Sequence, residues 1–136
     1  MVEICLTSND GILGVRGASH PLSAYLKYGV PVALATDDEG VSRSEMTREY
    51  VKAAEEQHVG YLQLKAMDRN SLQYAFISGA SLWSDAKKFV PVAQCAKDIA
   101  AMKLTSSTCR QYVSVSEKAK LQWKLEEALR EFEHGW

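Results

Sequence analysis

The sequence predicts an α/β fold: two parallel strands joined through a helix, followed by a helical C-terminal segment. Three observations predict it. "VEICLTS" at residues 2–8 and "VPVALAT" at 30–36 are short, apolar, β-branched runs of the kind that forms strands buried on both faces. The stretch between them carries a helical pattern and is long enough to cross over and return parallel. Beyond residue 40, apolar side chains recur at helical spacing.

Each element has its own signals. Gly11, Gly14 and Gly17 in "NDGILGVRGASH" permit a tight, irregular path after the first strand. His20 and Pro21 open a helix, because proline fits the first turn, where its missing N–H is no loss. Leu22, Tyr25 and Leu26 share one face of it, and Gly29 stops it. Ser42 and Glu45 read as a capping box ahead of "MTREYVKAAEEQH", with Met46, Tyr50, Ala53 and Ala54 facing inward and Gly60 as the break. "YLQLKAMDRNSLQYAF" is the next helix, with Leu64, Met67, Leu72, Ala75 and Phe76 as core. "SGASLW" and "FVPV" read as turns and short helical pieces, and residues 91–108 carry no clear pattern. Ser114 and Glu117 form a second capping box before a closing helix that turns Leu121, Leu125, Ala128, Leu129 and Phe132 inward.

Composition excludes several classes. A chain of 136 residues is one domain's worth, and 46% apolar content makes it a folded rather than a disordered one. A net charge of -1 offers no basic stripe, so neither nucleic acid nor an anionic membrane is an expected partner. No apolar run reaches the length of a membrane span, and "MVEICLTSND" lacks the layout of a signal peptide. Cys5, Cys95 and Cys109 are odd in number and without CxxC spacing. That argues against a disulfide framework and a zinc knuckle, and predicts reduced thiols in the cytoplasm.

The chemically interesting pair is Asp37–Asp38, where an apolar strand runs into two adjacent carboxylates. Like charges there repel, so either both are solvated loop residues or something positive lies between them. Ser8 and Asn9, at the mouth of the first strand, suit either the rim of an active site or the hydrogen bonding of loop backbone. His20 reads as a helix cap rather than a ligand, His58 as the close of a helix near its C-terminal dipole, and His134 as part of a tail. Cys5 reads as a small core residue, and Arg69–Asn70–Ser71 as a tie between a helix and its neighbouring loops. "GILGVRG" does not follow a phosphate-loop pattern. The H-x-E and P-C-x-x-C signature of cytidine-type deaminases is absent.

Taken in order, "EICLTSN", His20–Pro21, "GVPVALATDDEG", Glu49–Tyr50, "RNS" at 69–71 and "AF" at 75–76 resemble the C-terminal part of the adenosine deaminase family, the zinc-dependent purine aminohydrolases. The resemblance covers residues 2–90 closely and 114–133 loosely. It implies a (β/α)₈ barrel, of which this chain holds the C-terminal part: about two parallel strands, the seventh and eighth, within residues 1–60, then a helical segment over 61–136, together a single partial domain. It implies zinc as cofactor, Asp37 as a metal ligand and Asp38 as the group that bonds the purine ring. Ser8 and Asn9 then fall on the active-site rim. The chemistry implied is hydrolytic deamination of adenosine or a related purine nucleoside, in which zinc lowers the pKa of a bound water to make the attacking hydroxide.

The resemblance also marks what the chain does not carry. The family's HxH pair, its further zinc histidine and its catalytic glutamate have no counterpart here, and Glu39 follows the aspartates where many relatives have proline. The expectation is a C-terminal fragment inactive alone, with a non-catalytic interaction or assembly module as the alternative. Two strands make a marginal sheet, and their open edges and barrel-facing side chains predict a homo-oligomer or a complex with an N-terminal barrel part.

Overall fold

Strands β1 (Val2–Ile4) and β2 (Val32–Leu34) pair in parallel, with Val2 opposite Val32, Glu3 opposite Ala33 and Ile4 opposite Leu34. They belong to the first of two units, Met1–Ser71 and Leu72–Trp136, in a computed structural model that describes residues 1–135. The fold is mixed α/β and mostly helical, as the sequence predicts.

The first strand is shorter than expected. β1 ends at Ile4, and helix α1 (Leu6–Leu13) starts two residues later, so Ser8 lies in a helix rather than in a strand. The reason is tertiary. The Thr7 N–H, an unpaired donor of the first turn, is met by the buried carboxylate of Glu49, 42 positions away. Gly14, left-handed at φ 66, closes α1, and the Val15 N–H returns to the Asn9 carbonyl. Nor is β1 buried on both faces: Ile4 is buried, but Glu3 is exposed. β2 is buried throughout, so its side chains are not the open surface expected of a broken barrel.

Helix α2 (Leu22–Lys27) fills the crossover, with Leu22 fully buried and Tyr25 and Leu26 packed on the same cluster. The Ser42 capping box is not formed. Ser42 instead ends a short helix, α3 (Glu39–Ser42), donating its hydroxyl to the Asp38 carbonyl, and Glu45 precedes α4 (Met46–Gln57) without a side-chain cap. The extra turn uses up the serine before α4 can. On α4, Ala54 is exposed, and Glu49 takes an inward place instead. Helix α5 (Tyr61–Gln73) buries Met67 and ends before Phe76, which is fully exposed rather than core. Its Asn70 side-chain amide donates to the Val32 carbonyl at 2.9 Å, tying the helix to a strand. Val2 N–H pairs with Pro31 C=O and Ala35 N–H with Ile4 C=O. The alternation turns the Val32 carbonyl to the outer edge of β2 and the Glu3 main chain to the outer edge of β1.

In the second unit the stretch expected as turns is a hairpin. β3 (Trp83–Asp85) and β4 (Val90–Pro91) pair antiparallel, Trp83 meets Phe89 edge to face, and the Asp85 carboxylate accepts the Lys87 and Lys88 N–H groups in the turn. Helices α6 (Ala96–Ala101) and α7 (Ser107–Ser114) follow. Cys95 and Cys109 are joined in a disulfide, with Cα atoms 4.8 Å apart, which corrects the expectation of reduced thiols. The chain reverses between α6 and α7 and brings together two cysteines whose spacing matches no local motif.

The second capping box is displaced as well. Ser116, not Ser114, caps α8 (Glu117–His134) by accepting the Ala119 N–H, because Ser114 is already the last residue of α7. The buried face of α8 is Ala119, Gln122, Trp123, Glu126 and Leu129, while Ala128 and Phe132 are exposed. Gln122 is turned inward because its side-chain oxygen accepts the Leu82 N–H at 2.7 Å. Gly79 sits at φ +96, where a Cβ would lie 2.8 Å from the Ser116 backbone, so only glycine fits this approach.

Candidate functional site

The C-terminal ends of β1 and β2 lie side by side in the parallel pair, and the candidate residues follow them directly. Asp37 has a left-handed backbone, φ 57, which few residue types other than glycine adopt cheaply. Its carboxylate accepts the Ser8 hydroxyl at 2.7 Å, so the structure brings Ser8 and Asp37 together. Asp38 is exposed, precedes α3, and gives its carbonyl to Ser42.

Asn9 and His20 form a second pair. Asn9 Oδ1 is 3.0 Å from His20 Nε2, while His20 Nδ1 accepts the Leu22 N–H. With Nδ1 accepting, the proton sits on Nε2 and the ring is neutral. His20 is buried, and burial lowers its pKa. Both ring nitrogens are occupied, and Pro21 rather than His20 holds the N-cap position of α2.

Cys5 lies between the strand end and this cluster. Burial raises its thiol pKa, and the charges of Asp37, Glu49 and Glu3 raise it further. The thiol is therefore a poor source of thiolate at neutral pH. Among the described residues, no group of three His, Cys, Asp or Glu could hold a metal ion. A catalytic zinc takes about three protein ligands. The described residues therefore do not fit a zinc site by themselves.

Two neighbours escaped sequence reasoning. Glu49 is fully buried, with both carboxylate oxygens on the Thr7 N–H at 3.2 and 3.3 Å. Thr7 is buried too, and its hydroxyl has no hydrogen-bond partner. The hints to Glu49 were its place in the Glu49–Tyr50 motif and on the apolar face of α4 among Met46, Tyr50 and Ala53. Tyr50 itself donates to Asp68 on α5; burial, and then that bond, raise its pKa.

Comparison with known proteins agrees with the ordered motifs. A family model described as adenosine deaminase matches residues 1–82. The adenosine deaminase of Aliivibrio fischeri (strain MJ11) is 38% identical over 103 residues, which is 75% of this chain and 28% of that protein. That of Aliivibrio fischeri (strain ATCC 700601 / ES114) is 42% identical over 78 residues, 57% of this chain and 23% of the relative. That of Serratia proteamaculans (strain 568) is 36% identical over 78 residues, covering 57% and 24%. The chain thus spans about a quarter of the length of the curated relatives it matches. No solved structure matches it. The family match extends over more than half the chain and takes in the paired strands and the aspartates that follow them: the chain belongs to the adenosine deaminase family.

Proposed function

We propose that this chain is the C-terminal part of an adenosine deaminase-type (β/α)₈ barrel and carries one side of its aminohydrolase site. One observation carries the reading: Asp37 follows the C-terminal end of a parallel strand and is held by Ser8 in the first turn of the helix that follows the neighbouring strand. In barrels of this class, chemistry is placed at that end. Asp37 then serves as a metal ligand and Asp38 as the group that bonds a purine nucleoside, with Ser8 on the rim. Asn9 is committed to His20 and serves the loop. Zinc binding needs further ligands from outside this chain. In a closed barrel the upstream part that would supply them pairs with the outer edges of both β1 and β2.

The 136-residue protein should therefore not deaminate adenosine alone. A spectrophotometric assay with added zinc tests this, and metal-dependent turnover that vanishes in Asp37→Ala would sink it.

A second reading is favoured by a separate observation. Residues 83–135 lie outside the family match and hold a disulfide and most of a second apolar cluster, which Leu82 joins from within the match. The chain then works as a non-catalytic assembly module, whose partner is a second copy of itself. Light scattering with and without an upstream barrel polypeptide separates the two. Thiol counting bears on localisation: a cytoplasmic chain would show Cys95 and Cys109 reduced, because disulfides are rare there. No helix among the described residues is long and apolar enough to cross a membrane.

A further inference from the structure

We propose that Glu49 is a positioning residue for the aspartate site: by holding the first turn of α1, it sets Ser8 against Asp37. The importance of that contact rests on the functional reading above; the contact itself does not. Helix α1 starts at Leu6 with Cys5 before it, and no side chain of its own segment caps it. Glu49 fills that role from α4, with both oxygens on the Thr7 N–H. A fully buried carboxylate is costly, and an apolar residue would pack there without that cost. What the carboxylate gains is a charge-assisted bond at the positive end of a helix. Three residues along the same face of α4, Lys52 reaches Asp10 on α1 at 3.2 Å. Thus α4 holds α1 at its first turn and again at its middle. Ser8 follows Thr7 directly, so the orientation of the first turn decides where the Ser8 hydroxyl points. A ligating carboxylate depends on such outer contacts for its orientation.

The test uses the full chain without metal, read by amide hydrogen exchange and by the Asp37 signals in NMR spectra. In the unaltered protein the Thr7 N–H must be protected; exchange at the rate of an open amide overturns the proposal. Glu49→Asp shortens the side chain by one methylene and keeps the charge. It should speed Thr7 exchange about tenfold or more and move the Asp37 signals towards those of Ser8→Ala. Glu49→Gln keeps the length and an acceptor but not the charge, and should fall between the unaltered protein and Glu49→Asp in both readings. Met67→Ala, in the same cluster, should leave the Asp37 signals in place. Thr7 released with Asp37 unmoved, Glu49→Gln as disruptive as Glu49→Asp, or Met67→Ala moving Asp37 equally would each overturn the proposal. None of these readings needs zinc or substrate, so they hold even if the functional reading fails.

Discussion

The Ser8 hydroxyl and the Asp37 carboxylate, 29 positions apart, meet at 2.7 Å beside the ends of two parallel strands. The bond ties the left-handed turn at Asp37, a conformation aspartate adopts more readily than most residues, to helix α1. Removing it with Ser8→Ala should destabilise the first unit by about 1 kcal/mol, the usual net worth of one such bond. Denaturant unfolding measures it. An unchanged midpoint would mean that the pair is incidental.

His20 gives the first unit a pH dependence with a definite sign. Burial lowers its folded pKa below the ordinary value of about 6.5. Above that pH the ring is neutral in both states and costs nothing. As pH falls below it, the unfolded chain takes up a proton that the folded chain refuses, so stability is lost as pH falls through the folded pKa. Protonation also removes the acceptor for the Leu22 N–H. Unfolding between pH 7 and 5 should show this loss, and His20→Ala should flatten it. Equal slopes in both proteins would contradict the assignment.

The Cys95–Cys109 disulfide, whose cysteines are 14 positions apart, should stabilise the second unit by about 3 kcal/mol on the chain-entropy view. Thermal unfolding with and without reductant checks it, with the paired Cys95→Ser and Cys109→Ser variant as reference. A melting temperature indifferent to reductant would show that the link contributes nothing.

How much of this was legible in the sequence depends on where the cause lies. The strand–helix–strand unit, its parallel pairing and the place of the aspartates follow from local pattern, and the structure carries them. That His20 and Pro21 open a helix was legible too, because proline marks a helix start; Pro21 holds the cap position and the His20 ring accepts the Leu22 N–H. The end of β1 was not: the turn into α1 depends on a carboxylate from α4. Both capping boxes misled, because Ser42 and Ser114 each close a preceding helix, and the same motif reads identically at a stop and a start. The hairpin was not legible because it is joined by the Trp83–Phe89 contact and the turn bonds to Asp85, not by an alternating apolar pattern. Pairing of Cys95 with Cys109 needed the reversal between α6 and α7.

The central claim is that residues 1–82 carry one side of an adenosine deaminase site, with Asp37 as its metal ligand. A chimaera in which these residues replace the matching segment of a curated relative tests it most directly, by zinc content and adenosine turnover. The account predicts a chimaera that binds zinc and deaminates adenosine, and that loses both in Asp37→Ala. A folded chimaera without zinc, or one whose activity survives Asp37→Ala, would contradict it.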